Sequence, residues 1–277
     1  VLIDTHCHID IIESFGIDKK EILENCEKNE ISALIQIAVD KNSSLWNQNF
    51  VEEYNRNSNY KTRIFFTCGI HPESVQNRDQ LKEIEEVILK CYENPYFVGI
   101  GETGLDFFQT PETKELQAEF FYKHLQLAKR LELPVIIHCR DDKMYNENKL
   151  EAIKLVYSIG KELNYPKAIM HCYTYSSQEA KWFIELGWKI SFSGILTFKN
   201  ATIIQDAAKN IPIENILIET DSPFLTPVPY RNKTNQPAFV KYVYDYLRQL
   251  LNIPDDILKE KLIQNTLEVF DRIKLKS

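Results

Sequence analysis

Eight short apolar runs of β-forming residues, separated mostly by stretches with helical periodicity, constrain this chain more than any other feature. The first leads from Leu2-Ile3 into His6; the others span 31–39, 64–70, 96–101, 133–137, 167–170, 188–192 and 216–218. Between them apolar residues recur every three or four positions, most clearly at Leu81, Ile84, Val87, Ile88 and Cys91. That spacing makes one buried helix face. Strand–helix alternation of this kind produces right-handed crossovers and a parallel sheet. Eight units within 277 residues predict an α/β fold, a (β/α)8 TIM barrel with parallel strands, better than a doubly wound sheet. The tail, 238–251 and 256–273, reads as helix, so an extra C-terminal helix is expected. No linker divides the chain, and residues 1–277 are expected to form a single barrel domain.

Local signals sharpen the boundaries. Asp18-Lys-Lys-Glu21 and Ser176-Ser-Gln-Glu179 resemble capping boxes, and Gly187 is placed to close the second helix. Ser43 or Ser44 is expected to cap a helix bearing Leu45, Val51 and Tyr54. A Pro-rich loop, 222–237, follows the last strand. No apolar window approaches the length of a membrane span. The start shows no basic region followed by an apolar one, so a cytoplasmic address is expected. The six cysteines lack C-x-x-C spacing and read as small buried hydrophobes. Cys7, Cys139 and Cys172 adjoin histidines and are expected to point away from them.

Histidine placement carries the chemistry. His6 and His8 lie two apart on an extended run, so they project to the same side. His71, His138 and His171 follow strands three, five and six, while Glu102 and Asp221 follow strands four and eight. The C-terminal ends of barrel strands form the active-site face. Only His124 departs, sitting mid-helix, and it reads as structural or solvated. His6, His8, Glu102, His138, His171 and Asp221 form an N/O ligand set suited to Zn²⁺, Mn²⁺, Fe²⁺ or Mg²⁺. Six ligands exceed one tetrahedral site; two divalent ions ~3.5–4 Å apart and bridged by Glu102 use them economically. Asp221 is then placed both to hold metal and to take a proton from the attacking water. His71 is open between metal ligation and substrate contact. Arg140 offers a fork for phosphate or a structural ion pair, and Arg231 and Lys233 in the last loop offer substrate contacts or solvated charges.

The motifs Asp4-Thr-His-Cys-His-Ile-Asp10, Gly69-Ile-His-Pro72, Gly99-Ile-Gly-Glu-Thr-Gly-Leu-Asp106, Ile137-His-Cys-Arg140 and Glu219-Thr-Asp-Ser-Pro-Phe-Leu-Thr-Pro227 occur in order. Together they resemble the TatD-type deoxyribonucleases, metal-dependent hydrolases of the amidohydrolase superfamily. The resemblance implies His6, His8, Glu102, His138, His171 and Asp221 as ligands; the reading by position adds Asp221 and Glu102 as catalytic and His71, Arg140 and Arg231 as substrate contacts. The resemblance also implies a DNA phosphodiesterase working by attack of metal-bound hydroxide, often as a 3′-5′ exonuclease. Two positions depart from the family pattern, Tyr175 and Asn232 standing where Gly is usual; both are expected at the barrel mouth.

A net charge of −7 disfavours broad duplex binding, which needs phosphate neutralisation. The expected partner is a single strand or frayed end of DNA, with no membrane and no obligate protein partner. Hydrolysis of another bond on the same fold, such as a misacylated-tRNA ester, a small phosphoester or an amide, is the alternative. A non-enzymatic metal-binding scaffold is the other.

Overall fold

The computed structural model describes residues 1–275. Eight parallel strands, β1 (Leu2–Cys7), β2 (Ile31–Gln36), β3 (Arg63–Cys68), β4 (Phe97–Asp106), β5 (Val135–Arg140), β6 (Ala168–Met170), β7 (Lys189–Phe192) and β8 (Ile216–Ile218), are ordered as they occur in the chain. Helices α1 (Ile9–Ser14) and α2 (Lys19–Lys28) follow β1, α3 (Lys41–Asn57) follows β2, and α4 (Asp79–Cys91) follows β3. Then come α5 (Lys114–Leu131), α6 (Glu151–Leu163), α7 (Ser177–Glu185) and α8 (Thr202–Asn210), one after each strand through β7. After β8 the chain adds α9 (Val240–Leu251) and α10 (Asp255–Val269). This is the (β/α)8 barrel that the alternation predicts.

A seam between β8 and β1 closes the barrel. The Thr5 hydroxyl donates to the Ile218 carbonyl at 2.9 Å, and Thr220 donates to the Asp4 carboxylate from its backbone N–H at 2.8 Å and its hydroxyl at 2.6 Å. Higher up, Asp221 N–H donates to His6 O and His8 N–H to Ser222 O, both at 2.9 Å. The seam therefore holds His6 and His8 beside Asp221, although more than two hundred residues separate them.

The core has two layers. Ile3, Ile35, Phe65, Val98, Ile136, Ile169 and Leu217 pack inside the barrel, and Val269 and Phe270 from the end of α10 join them. Phe270 is 1% exposed; burying a side chain of that size contributes about 1.5–3 kcal/mol. A larger layer, including Leu34, Phe66, Phe97 and Trp188, fills the space between strands and helices.

Several boundaries differ from expectation. Asp40 caps α3 by accepting from Ser43 N–H at 2.7 Å; Ser43 lies inside the helix and completes a capping box. Leu45 is exposed, while Val51 and Tyr54 are buried as the periodicity predicts. Asp18 caps α2 through Lys20 N–H, with no reciprocal bond from Glu21. The Ser176–Glu179 box forms as expected.

The largest correction concerns β4. It continues to Asp106, so Glu102 lies within the strand rather than at its end. Register irregularities near Phe66/Thr67 and Ile100/Thr103 re-aim side chains as β-bulges do, and Glu102 turns inward. The neighbouring glycines serve strand packing, not close approach to a ligand. Gly104 has φ +136°, and a Cβ there would lie 1.9 Å from the His138 carbonyl oxygen.

Candidate active site

The cluster forms at the C-terminal ends of the strands around the buried Glu102 carboxylate. Oε2 lies 3.2 Å from His6 Nε2 and 3.8 Å from His8 Nε2. Oε1 lies 2.7 Å from His171 Nε2, 3.2 Å from His138 Nδ1 and 3.3 Å from His71 Nε2. Asp221 Oδ1 completes the first side, 3.5 Å from both His6 Nε2 and His8 Nε2. One carboxylate thus shares its two oxygens between two groups of donors.

The outer nitrogens decide which inner nitrogens are free to ligate. His8 Nδ1 donates to the Ile37 carbonyl at 3.1 Å, His171 Nδ1 to Glu219 at 3.0 Å, and His138 Nε2 to Asp106 at 2.8 Å. In a neutral ring the other nitrogen then carries a lone pair, and all three lone pairs point into the cluster. Carboxylate–imidazole pairs of this kind orient metal ligands and raise their basicity. His71 is wired the opposite way. Its Nδ1 accepts from Glu73 N–H at 3.1 Å, so the proton of the neutral ring sits on Nε2. In its neutral form His71 therefore presents a donor to the cluster.

Bare lone pairs facing carboxylates fit a cation. His171 Nε2 approaches Glu102 to 2.7 Å, and His6 and His8 bring their Nε2 atoms to 3.2 Å. Three sets of donors lie close enough to hold an ion: His6, His8 and Asp221; His6, Glu102 and His171; and His71, Glu102 and His138. The donor set is imidazole and carboxylate, suited to Zn²⁺, Mn²⁺ or Fe²⁺.

Protons compete with a cation for these inward nitrogens: burial disfavours the charged rings, but the carboxylates raise His8, His138 and His171. Burial would raise the Glu102 carboxyl, but His171, His71 and His6 hold it well below its ordinary 4.5. Burial and repulsion by the stacked His171 ring, 3.9 Å away, lower His6 and favour its neutral form. His138 is lifted to about 9: burial opposes charging, and the hydrogen bonds to Asp106 and Glu102 overcome it. Asp221 is lowered because His8, His6 and His171 outweigh its burial.

A cavity of about 680 Å³ opens over the cluster, lined by His8, His71, Glu102, His138, His171 and Asp221 among others. Arg140 lines it too; it makes no ion pair among the described residues, and its guanidinium lies 4.4 Å from the Phe108 ring. Arg231 sits apart, outside the cavity lining, with its guanidinium 3.4 Å from the Phe198 ring. Tyr175 lines the mouth, where its hydroxyl donates to Asp141 at 2.8 Å; Asp141 also accepts from Ala152 N–H at the start of α6. A glycine there would leave two mouth loops untied. His124 is buried and structural, accepting from Ile70 N–H at 3.2 Å.

All six cysteines are free. Cys7 lies in the outer layer, but Cys139 and Cys172 border the cavity, contrary to expectation. Cys172 follows β6 with φ +44°, so strand alternation does not apply to it. The role of Asp106 and Glu219 was not legible in the sequence. Both stand inside the motifs, two or four residues from a ligand, but their imidazole partners lie 32 and 48 residues away.

The sequence profile of the TatD related DNases matches residues 3–271. The chain belongs to this family. Among TatD relatives it is 35% identical to the metal-dependent hydrolase YcfH of Escherichia coli (strain K12) over 274 residues, 98% of this chain and 95% of YcfH. It is 32% identical to the metal-dependent hydrolase YabD of Bacillus subtilis (strain 168), covering 98% of this chain and 99% of YabD. The crystal structure of the Escherichia coli TatD homologue YjjV superposes with a TM-score of 0.83 at 26% identity, covering 98% of each chain. Like these TatD-family relatives, the chain is a metal-dependent hydrolase by family. Among the described residues no helix is long and apolar enough to cross a membrane.

Proposed function

We propose that this protein hydrolyses DNA phosphodiester bonds with two divalent ions, as a 3′-5′ exonuclease acting on single strands or frayed ends. The observation that carries the reading is the Glu102 carboxylate shared between two sets of inward lone pairs at the floor of one cavity. His6, His8, Glu102 and Asp221 would hold one ion; Glu102, His138 and His171 would hold the other. Such a pair supplies Lewis-acid activation of water and neutralises charge on entering and leaving oxygens.

The chain's own residues do the rest. Asp221 takes the proton of the attacking water; its side chain is 15% exposed, against 3% for Glu102, so it reaches the cavity. His71 Nε2–H donates to a phosphate oxygen. Arg140, in no ion pair among the described residues, binds the next phosphate along the strand. Arg231 contacts the strand only beyond the cavity, at the outer lip. The net charge of −7 leaves attraction to these few local groups, so binding is narrow and weakly salt-dependent. A strand end reaches such a recessed cluster more readily than a phosphate inside a duplex.

Metal-stripped protein, reloaded with Mg²⁺, Mn²⁺ or Zn²⁺ and given 3′- and 5′-labelled oligonucleotides, tests the proposal. The expected result is stepwise shortening from the 3′ end that chelation abolishes, with closed circular single strands left intact. Full turnover without metal, or cleavage confined to carboxyl-ester or amide substrates, would overturn it.

A further inference from the structure

Three of the fifteen phenylalanines are exposed, Phe15 at 54%, Phe224 at 46% and Phe108 at 38%, and all three stand around the barrel mouth. Phe224 lines the cavity beside Asp221, and Phe15 meets it edge to face with centroids 6.3 Å apart. An edge-to-face pair leaves one ring's faces uncovered. Phe108 lies on the Arg140 guanidinium, which borders the cavity from the far wall. Phe224 follows β8 and Phe108 follows β4, four strands apart in a ring of eight, so the two aromatic sites face each other across the cluster.

Both rings stand on fixed backbone. Phe224 N–H donates to the Asp221 carbonyl at 3.0 Å, and the Phe224 carbonyl accepts from Asn235 Nδ2 at 2.6 Å. Phe108 N–H donates to the Asp106 carboxylate at 3.1 Å, the same group that orients His138. Exposed aromatic rings held rigidly beside a guanidinium and a cavity of about 680 Å³ floored by the carboxylate–imidazole cluster match the stacking platforms that take unpaired bases. A duplex has no unstacked base to offer them.

We propose that Phe224, with Phe15, and Phe108, on Arg140, are base-stacking platforms on either side of the cluster. Each takes one unpaired nucleobase of a strand lying across the mouth, with the intervening phosphates over Glu102 and Asp221. The inference rests on the phosphodiesterase reading and adds to it the residues that select unstacked nucleotides. It also gives Arg140 a second task, as a charged backing for a stacked ring.

Metal-loaded protein is titrated with a single-stranded oligonucleotide carrying 2-aminopurine at its last two 3′ nucleotides, and both fluorescence quenching and kcat/KM are recorded. Wild type and Phe224→Trp are expected to quench the probe. Phe224→Ala and Phe224→Leu are expected to lose the quenching and about tenfold in kcat/KM, the size of one base–aromatic stack. Phe108→Ala is expected to lose a comparable factor. Leucine behaving like phenylalanine would reduce Phe224 to apolar filling and overturn the proposal. Hydrolysis with no quenching in wild type would sink the platforms and leave the phosphodiesterase standing. Quenching without hydrolysis would do the reverse.

Discussion

The two sides of the Glu102 carboxylate are built by different means. Toward β8 and β1, His6 and His8 are aimed by backbone: an H-x-H on extended chain, an Ile37 carbonyl behind His8, and a hydrogen-bonded seam to Asp221. Toward β5 and β6, His138 and His171 each lean on a buried carboxylate, Asp106 or Glu219. A carboxylate partner makes an imidazole a stronger base and a better-oriented ligand than a carbonyl does. The difference separates the tasks. The β8–β1 side keeps Asp221 partly exposed and the His6 ring biased to its neutral form, which under the proposed function suits it to moving a proton, and leaves the β5–β6 side as the anchor.

The largest expected effect breaks the first side. Asp221→Asn keeps size and hydrogen-bonding shape but cannot take a proton, and kcat on a single-stranded oligonucleotide at saturating metal is expected to fall ~10²–10⁴-fold. An unchanged kcat would place the base elsewhere.

The anchor side is sharpened by smaller changes. Asp106→Asn and Glu219→Gln should each weaken metal binding about 10–100-fold, read by Mn²⁺ titration of stripped protein. The β8–β1 side has no equivalent weakness, because no substitution at residue 37 removes a backbone carbonyl. Equal metal affinity in wild type and both variants would erase the contrast between the sides.

The smallest effect at neutral pH lies behind His71. His124 accepts from Ile70 N–H only when neutral, and burial lowers its pKa from 6.5 to about 4. The neutral ring's contribution is therefore complete above pH 6.5 and is lost as pH falls toward 4. The shift corresponds to roughly 3 kcal/mol. In chemical denaturation, His124→Gln should lose less stability than wild type between pH 6.5 and 4. Parallel curves for the two proteins would show that His124 does not titrate with unfolding.

What the sequence determined by itself was whatever depends on local period. Alternating side-chain direction put His6 and His8 on one side, and three-to-four spacing marked the helices that force parallel strands and a barrel. Position near strand ends was enough to collect His6, His8, His71, His138, His171 and Asp221 on one rim. Tertiary structure alone decided the hydrogen-bond partners. Asp40 displaced the serines as the α3 cap because it reaches the N–H of Ser43. Bulged register, not sequence parity, turned Glu102 inward from the middle of β4. The barrel seam required Asp4 to find Thr220, 216 residues away. Arg140 and Arg231 look alike in the chain, yet one lines the cavity and the other lies on Phe198 outside it. The direction of His71's proton was likewise set by a backbone N–H that only the folded loop supplies. In regular strand and helix a residue's facing follows from its neighbours in the chain; its partner, and its facing at a bulge, follow from register and closure, which are fixed by packing between distant segments.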